Sequence, residues 1–339
     1  MIERKNKRPL VCAAVFLALI TVLTFIYPRN AFSQRVRVAY PSESATSLPL
    51  FVMKEANLYK KYGLDADLVF ITSSSVIIPA MLAGEVHVAA SGGPPGITAA
   101  LQGADVVQIA GIVNRMASSL VVLPEINKPA DLKGGKIGIS RFGSIQHQYA
   151  QYILNKWGLD KDVTIVQVGG QIQVIAALKA KGIQGVILTE PNIKVAESMG
   201  FKVLVDLSKE GAEYPHQAII STKTFIRNQP QALKGFLKGY IDSIVLIRKD
   251  KEFSIRVLGK YTRTSDRKAL EVTYDAFTDR YYVDIKNGAP YPTLKGIQFI
   301  LDQLAPTTPK AKSAKPEDFV SLDALRELGE TGFLKEAVK

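Results

Sequence analysis

The residues best able to do chemistry in this chain are small and polar, and they cluster where strands end. Gly143-Ser144 is the sharpest signal. Glycine lets a ligand approach the backbone, and Ser144 is a good N-cap for the helix that follows. A helix N-terminus favours anions, because its first N–H groups lack intrahelical partners. Ser91, Gly92 and Gly93 offer the same arrangement earlier in the chain, followed by Pro94 and Pro95 at positions that suit a first helical turn. Asn114 and Arg115, and separately Arg141, follow strand ends. A guanidinium there would pair with a carboxylate, sulfonate or phosphate, or form a surface or hinge salt bridge. Thr189 and Glu190 stand before Pro191 on another strand-end loop, where Glu190 would accept from a ligand amine or hydroxyl or sit at its own helix N-terminus. Ser42 and Thr46, with Glu43 and Ser44, occupy the first such loop.

Other chemistries are missing from the pattern. His87, His147 and His216 have no metal-ligand spacing. There is no nucleophile-elbow serine and no phosphate-binding Gly/Lys loop. The single cysteine, Cys12, lies in an N-terminal apolar run, so a chain that loses that run has no thiol for a nucleophile, disulfide or thiolate metal site. No catalytic constellation is visible, and no cofactor is expected.

These loops need rigid elements to hold them. Apart from His87, Val86 to Ala90 is small and apolar, as in a strand buried on both faces, and runs into the Ser91–Gly93 loop. Gly185 to Leu188 repeats that plan before Thr189. Upstream of each, Lys61-Tyr-Gly-Leu-Asp-Ala-Asp67 matches Lys156-Trp-Gly-Leu-Asp-Lys-Asp162, with Gly63 and Gly158 where a helix C-terminus takes a left-handed residue. The match implies an internal duplication: two α/β lobes, each turning strand-end loops toward a shared cleft. Further strands are predicted at Val36–Tyr40, Val69–Ile71, Val106–Gly111, Ser119–Leu123, Lys136–Ser140, Val163–Val168, Lys202–Asp206 and Gln217–Ser221. Helices are predicted at 48–62 and Ile145–Trp157, and the chain after 230 is largely helical. Ser119–Leu123 and Gln217–Ser221 are the expected crossings between lobes. The expected division is 34–120 with 217–339 as lobe 1, and 121–216 as lobe 2.

The 339 residues are 47% hydrophobic and 22% charged, ordinary for a globular protein with room for two lobes. Arg4, Lys5, Lys7 and Arg8 precede an apolar run from Leu10 to Ile26, and Ala31-Phe-Ser33 offers small residues at the positions a signal peptidase reads. Residues 1–33 therefore read as a signal peptide, with an uncleaved membrane anchor as the alternative. The formal charge is +12, and removing the five basic and one acidic side chains of that segment leaves about +8. The surplus is dispersed, unlike a nucleic-acid-binding arm, so no nucleic-acid partner is expected.

The chain resembles the periplasmic solute-binding proteins of the sulfonate/nitrate/taurine ABC-transporter family, which is similar to the thiamine-pyrimidine precursor binders. The resemblance rests on Leu58-Tyr-Lys-Lys-Tyr-Gly-Leu-Asp65, Ala83-Gly-Glu-Val86, Asp131-Leu-Lys-Gly134, Gly143-Ser144 with His147, Glu190-Pro191 and Asn228-Gln-Pro230. It implies a type II two-lobed clamshell, each lobe a mixed sheet flanked by helices, joined by two crossover hinge strands. It further implies a periplasmic monomer that captures a small-molecule solute and presents it to an ABC permease in the inner membrane. The family's ligand contacts come from loops that here hold Ser42–Thr46, Ser91–Gly93, Gly143-Ser144 and Thr189-Glu190. Many members have an aromatic residue before the acid–Pro pair, where this chain has Thr189. The alternatives are a membrane-anchored solute sensor, and an enzyme of the same fold acting on a carboxylated substrate.

Overall fold

The computed structural model describes residues 34–285 and 288–339. The expected signal segment, 1–33, lies outside the described residues.

Among the described residues the chain forms two five-stranded sheets of the same plan. The first has the order β2-β1-β3-β10-β4, from Leu64–Phe70, Gln34–Tyr40, Val88–Ser91, Glu213–Thr222 and Val106–Arg115. The second has the order β7-β6-β8-β5-β9, from Thr164–Gln167, Lys136–Ile139, Gly185–Leu188, Ser119–Val122 and Lys202–Asp206. In each, the second strand of that order pairs in parallel with both its neighbours, and the first strand after a crossing from the other half runs antiparallel between the third strand and the edge. The chain therefore crosses to the second sheet before β5 and returns to the first on β10. This is the mixed-sheet, two-lobed clamshell that the resemblance implies, and the loops at the carboxyl ends of its parallel strands are where ligands bind in open sheets of this kind.

The paired sequence repeats fold alike. Gly63 and Gly158 both take positive φ, +75° and +65°, ending a helix and turning the chain toward a strand. The next residues, Leu64 and Leu159, are buried. The small residues of β3 and β8 are buried throughout because helices cover both faces.

Three details depart from the sequence pattern. The helix predicted over 48–62 is broken into Leu48–Glu55 and Leu58–Lys61, because Asn57 takes a left-handed conformation. β2 begins at Leu64 and β4 continues to Arg115, each longer than its apolar run. Asn114 and Arg115 thus belong to β4 itself, with Arg115 opposite Glu213 of β10, and do not form a strand-exit loop.

Two large apolar clusters hold the halves. One is built on β1, β3, β4 and the helix Pro230–Lys249, centred on Phe51, Phe236 and Tyr240. The other is built on β5, β6 and β8 with the helix Ile145–Trp157. Within the stretch expected to complete the first lobe, Ile297, Ile300 and Leu301 of the helix Leu294–Leu304 join that second cluster, together with Ile97 and Leu101. This helix therefore braces the seam between the halves. No helix among the described residues is long and apolar enough to cross a membrane.

Candidate functional site

The strand-end loops of the two sheets face one another across a narrow inner cavity. Sheet one contributes Ser42, Thr46, Ser73 and Ser74. Sheet two contributes Ser144, Gln146, Gln171 and Thr189. The crossing strand β10 contributes His216 and Gln217. None of these lining side chains is charged at neutral pH, since burial holds His216 down at about 3.

Each group is fixed by local structure. Ser144 caps the helix Ile145–Trp157, its Oγ accepting from the His147 N–H at 3.2 Å. Gly143 precedes it at φ +75°, and its N–H donates to His147 Nδ1 at 3.1 Å. His147 is therefore an acceptor at Nδ1, consistent with burial lowering its pKa. Ile145 and Gln146, in the first helical turn, line the cavity where the helix dipole favours negative charge.

The glutamines are oriented by the protein. Gln171 Oε1 accepts from the Thr189 N–H at 3.3 Å, so its NH2 group is left to donate elsewhere. Gln146 Oε1 accepts from Ser140 Oγ at 2.6 Å, with the same consequence. Gln217 is only 3% exposed, and its Nε2 is buried with no hydrogen-bond partner. A buried amide left unpaired costs about 1–3 kcal/mol, so this donor calls for an acceptor. Beside it, His216 Nδ1 is joined to the Tyr149 hydroxyl at 2.8 Å, which fixes the imidazole against the second half. Thr189 Oγ1 and Ser118 Oγ are 2.9 Å apart, which ties the β8 exit loop to the crossing before β5.

The halves also bond directly. The Ala45 N–H donates to the Glu190 carbonyl at 3.2 Å, and Asn192 Nδ2 donates to the Glu43 carbonyl at 3.5 Å. The conformation is thus a closed one, with the cleft narrowed to its polar lining.

Of the sequence candidates, the fold brings Ser42, Thr46, Ser144 and Thr189 to the inner cavity. Gly143 stands at its edge, where an added Cβ would come within 3.7 Å of Ser75 on the opposite half. Ser91, Gly92 and Gly93 lie behind the cavity. Ser91 Oγ donates to the Gly92 carbonyl, and the Gly92 N–H donates to Ser74 Oγ at 2.9 Å, so this loop positions Ser74. Gly93 packs against the crossing strand so tightly that a Cβ would sit 2.5 Å from Pro215 Cγ. Arg115 and Arg141 line neither the inner cavity nor the one beside it, and Asn114 Nδ2 donates to the Tyr291 carbonyl. Glu190 lines a separate cavity, shared with Asp206, Lys194 and Arg280. There burial pushes its carboxyl up to about 7. The Lys194 charge and N–H oppose the rise, and the negative charges of Glu197 and Asp206 add to it.

The sequence reading missed Gln146, Gln171, His216 and Gln217. The available signal was polar residues at the start of otherwise apolar elements, as in Gln217-Ala-Ile-Ile-Ser221.

Two similar lobes, two chain crossings between them and a polar cleft define a binding-protein fold. The chain belongs to the NMT1/THI5-like family, whose model matches residues 44–251. It is 25% identical over 260 residues to a protein of Brachyspira hyodysenteriae (strain ATCC 49526 / WA1) named as an ABC transporter periplasmic binding protein, covering 71% of this chain and 75% of that one. Among solved structures, it superposes on the alkanesulfonate-binding protein SsuA of Xanthomonas axonopodis pv. citri, bound to MOPS, with TM-score 0.69 and 17% identity, covering 83% and 95% of the two chains. The nitrate-binding protein NrtA of Synechocystis PCC 6803 matches with TM-score 0.72 and 15% identity, covering 90% and 91%. A protein of Bordetella bronchiseptica RB50 matches with TM-score 0.78 and 20% identity, covering 88% and 97%.

Proposed function

We propose that this protein is the solute-binding component of an ABC importer, acting in the periplasm. It captures a small polar or anionic organic solute between its halves and presents the closed form to a membrane permease. The observation that carries this reading is Gln217, a residue lining a cavity walled by both halves and by a crossing strand, whose amide Nε2 is buried without a partner. A ligand acceptor there satisfies a group that the protein alone leaves unpaired. Contacts on both walls stabilise only the closed form, so binding shifts the population toward closure. The names of the binding proteins it resembles support the same role.

The reading assigns capture without turnover. His216 is held neutral against Tyr149, far from the protonation range of a working acid–base group at neutral pH.

The test is a thermal-shift screen of the purified protein against sulfonates, nitrate, carboxylates and pyrimidines, with calorimetry on each hit. A ligand of the native state must raise Tm. Gln217→Ala and Gln171→Ala should each weaken a hit by about tenfold, the worth of one or two hydrogen bonds. Arg115→Ala and Arg141→Ala should leave it unchanged. Loss of binding in the arginine variants with the glutamine variants intact would overturn this placement of the site.

A further inference from the structure

The separate cavity that Glu190 lines is walled by both halves. Lys194 of the helix Asn192–Ser198 and Asp206 of β9 belong to the second half. Val272 and Ala276 of the helix Arg267–Ala276, with Arg280 and Tyr281 of the turn after it, belong to the first, whose apolar cluster holds Leu270, Tyr274 and Phe277 of the same stretch. Ala117, Ser118 and Ser119, where the chain crosses into β5, join the two walls and carry no charge.

Glu190 is tied to this seam through its backbone. Its carbonyl accepts from the Ala45 N–H of the first half at 3.2 Å, a bond that any parting of the halves must break. Its carboxyl, in contrast, has no cation of its own. The Lys194 ammonium is bound to Glu197 at 2.7 Å, which leaves Glu190 the Lys194 backbone N–H at 3.2 Å. Asp206 keeps its carboxylate on the N–H and hydroxyl of Ser208, at 3.0 and 2.7 Å, and adds negative charge to the cavity. From the first half, Val272 and Ala276 offer only apolar surface. Arg280 lies with its guanidinium over the Tyr281 ring and forms no ion pair among the described residues. An ionised Glu190 in the closed form therefore meets an apolar wall and two other carboxylates, so the neutral acid is the better occupant. Burial accordingly raises its carboxyl to about 7, with the Lys194 charge opposing the rise.

Opening the halves draws the first wall away and returns water to the carboxyl, which then ionises nearer its ordinary 4.5. A group that binds a proton in one conformation and not in the other couples the two equilibria. We propose that closing of the two halves takes up a proton at Glu190, so that acid favours the closed form and rising pH favours the open one. This goes beyond the capture reading and needs no particular solute. A solute that binds only the closed form is then held most tightly in acid and released as pH rises through neutrality.

The test uses the full chain without ligand. Hydrogen exchange of the Ala45 amide, followed by NMR and expressed as a protection factor so that the intrinsic pH dependence cancels, reads the closed population directly through the bond to Glu190. Between pH 8 and pH 5.5 protection should rise by up to about thirtyfold, the ratio set by ionisation at about 7 when closed and 4.5 when open. Glu190→Gln mimics the neutral acid and should hold the acid value at every pH. A rise below about threefold, or protection that falls in acid as it would if ionised Glu190 paired with Arg280 across the seam, overturns the proposal. So does a pH dependence that persists in Glu190→Gln, because the proton then sits elsewhere. The wild-type profile decides even if the variant folds poorly. Each of these failures leaves the capture reading standing, since no solute enters the measurement; that reading falls only with the ligand screen.

Discussion

Glu190 gives the sharpest test of the electrostatics behind the cleft. Its carboxyl is raised from 4.5 to about 7, chiefly because burial strips its water. The nearest ammonium, that of Lys194, is bound to Glu197 at 2.7 Å, so Glu190 keeps only the Lys194 backbone N–H, at 3.2 Å. In the unfolded chain the same carboxyl ionises near 4.5. Between that pH and about 7 the folded protein holds a proton that the unfolded chain has lost. Stability therefore falls as pH rises through this window, and the whole penalty is present above pH 7. The shift corresponds to about 3 kcal/mol, an upper value for a group that retains some solvent contact. Glu190→Gln keeps an oxygen for the Lys194 N–H and removes the charge. It should therefore be more stable than wild type at pH 8, and the advantage should shrink steadily toward pH 4.5. The assay is Tm of both proteins at half-unit steps from pH 4.5 to 8.5, read as the difference so that other titrating groups cancel. A difference that stays flat over that range would refute the argument that burial, rather than a compensating partner, governs this group.

Other outcomes follow from the same geometry. His216 is held neutral down to about 3 while an unfolded histidine protonates near 6.5, so it contributes acid sensitivity of the opposite sign. Stability is lost as pH falls through that window, and His216→Gln should flatten the acid limb of the Tm profile. Gly93→Ala should destabilise by about 1–3 kcal/mol, because the new Cβ would meet Pro215 and push the crossing strand away from its helix. Urea unfolding measures this, and an unchanged midpoint would show that the strand yields freely.

The sequence by itself determined the local architecture. Glycines after amphipathic helices placed the turns at Gly63 and Gly158, and the helix cap at Ser144 followed from residue type. Short apolar runs gave the buried strands β3 and β8, and the register of the two repeats foretold two sheets of one plan. These features depend on neighbours in the chain, where the physics is backbone conformation, capping and side-chain period. Strand length was less legible, since Asn114 and Arg115 pair into β4 although their side chains break its apolar pattern.

What only the tertiary structure decided is which polar groups meet. Ser42, Thr46, Ser144 and Thr189 reach the cavity because they stand at strand ends that the fold turns inward. Arg115 and Arg141 have equally suggestive positions in sequence yet line neither cavity of the cleft. Gln217 looked like the polar start of an ordinary strand. It lines the cavity because the chain returns from the second half to the first on that strand, which runs beside the cleft. A binding site of this kind is a set of long-range contacts, and no period or spacing along one chain encodes which loop ends will face each other across the closed halves.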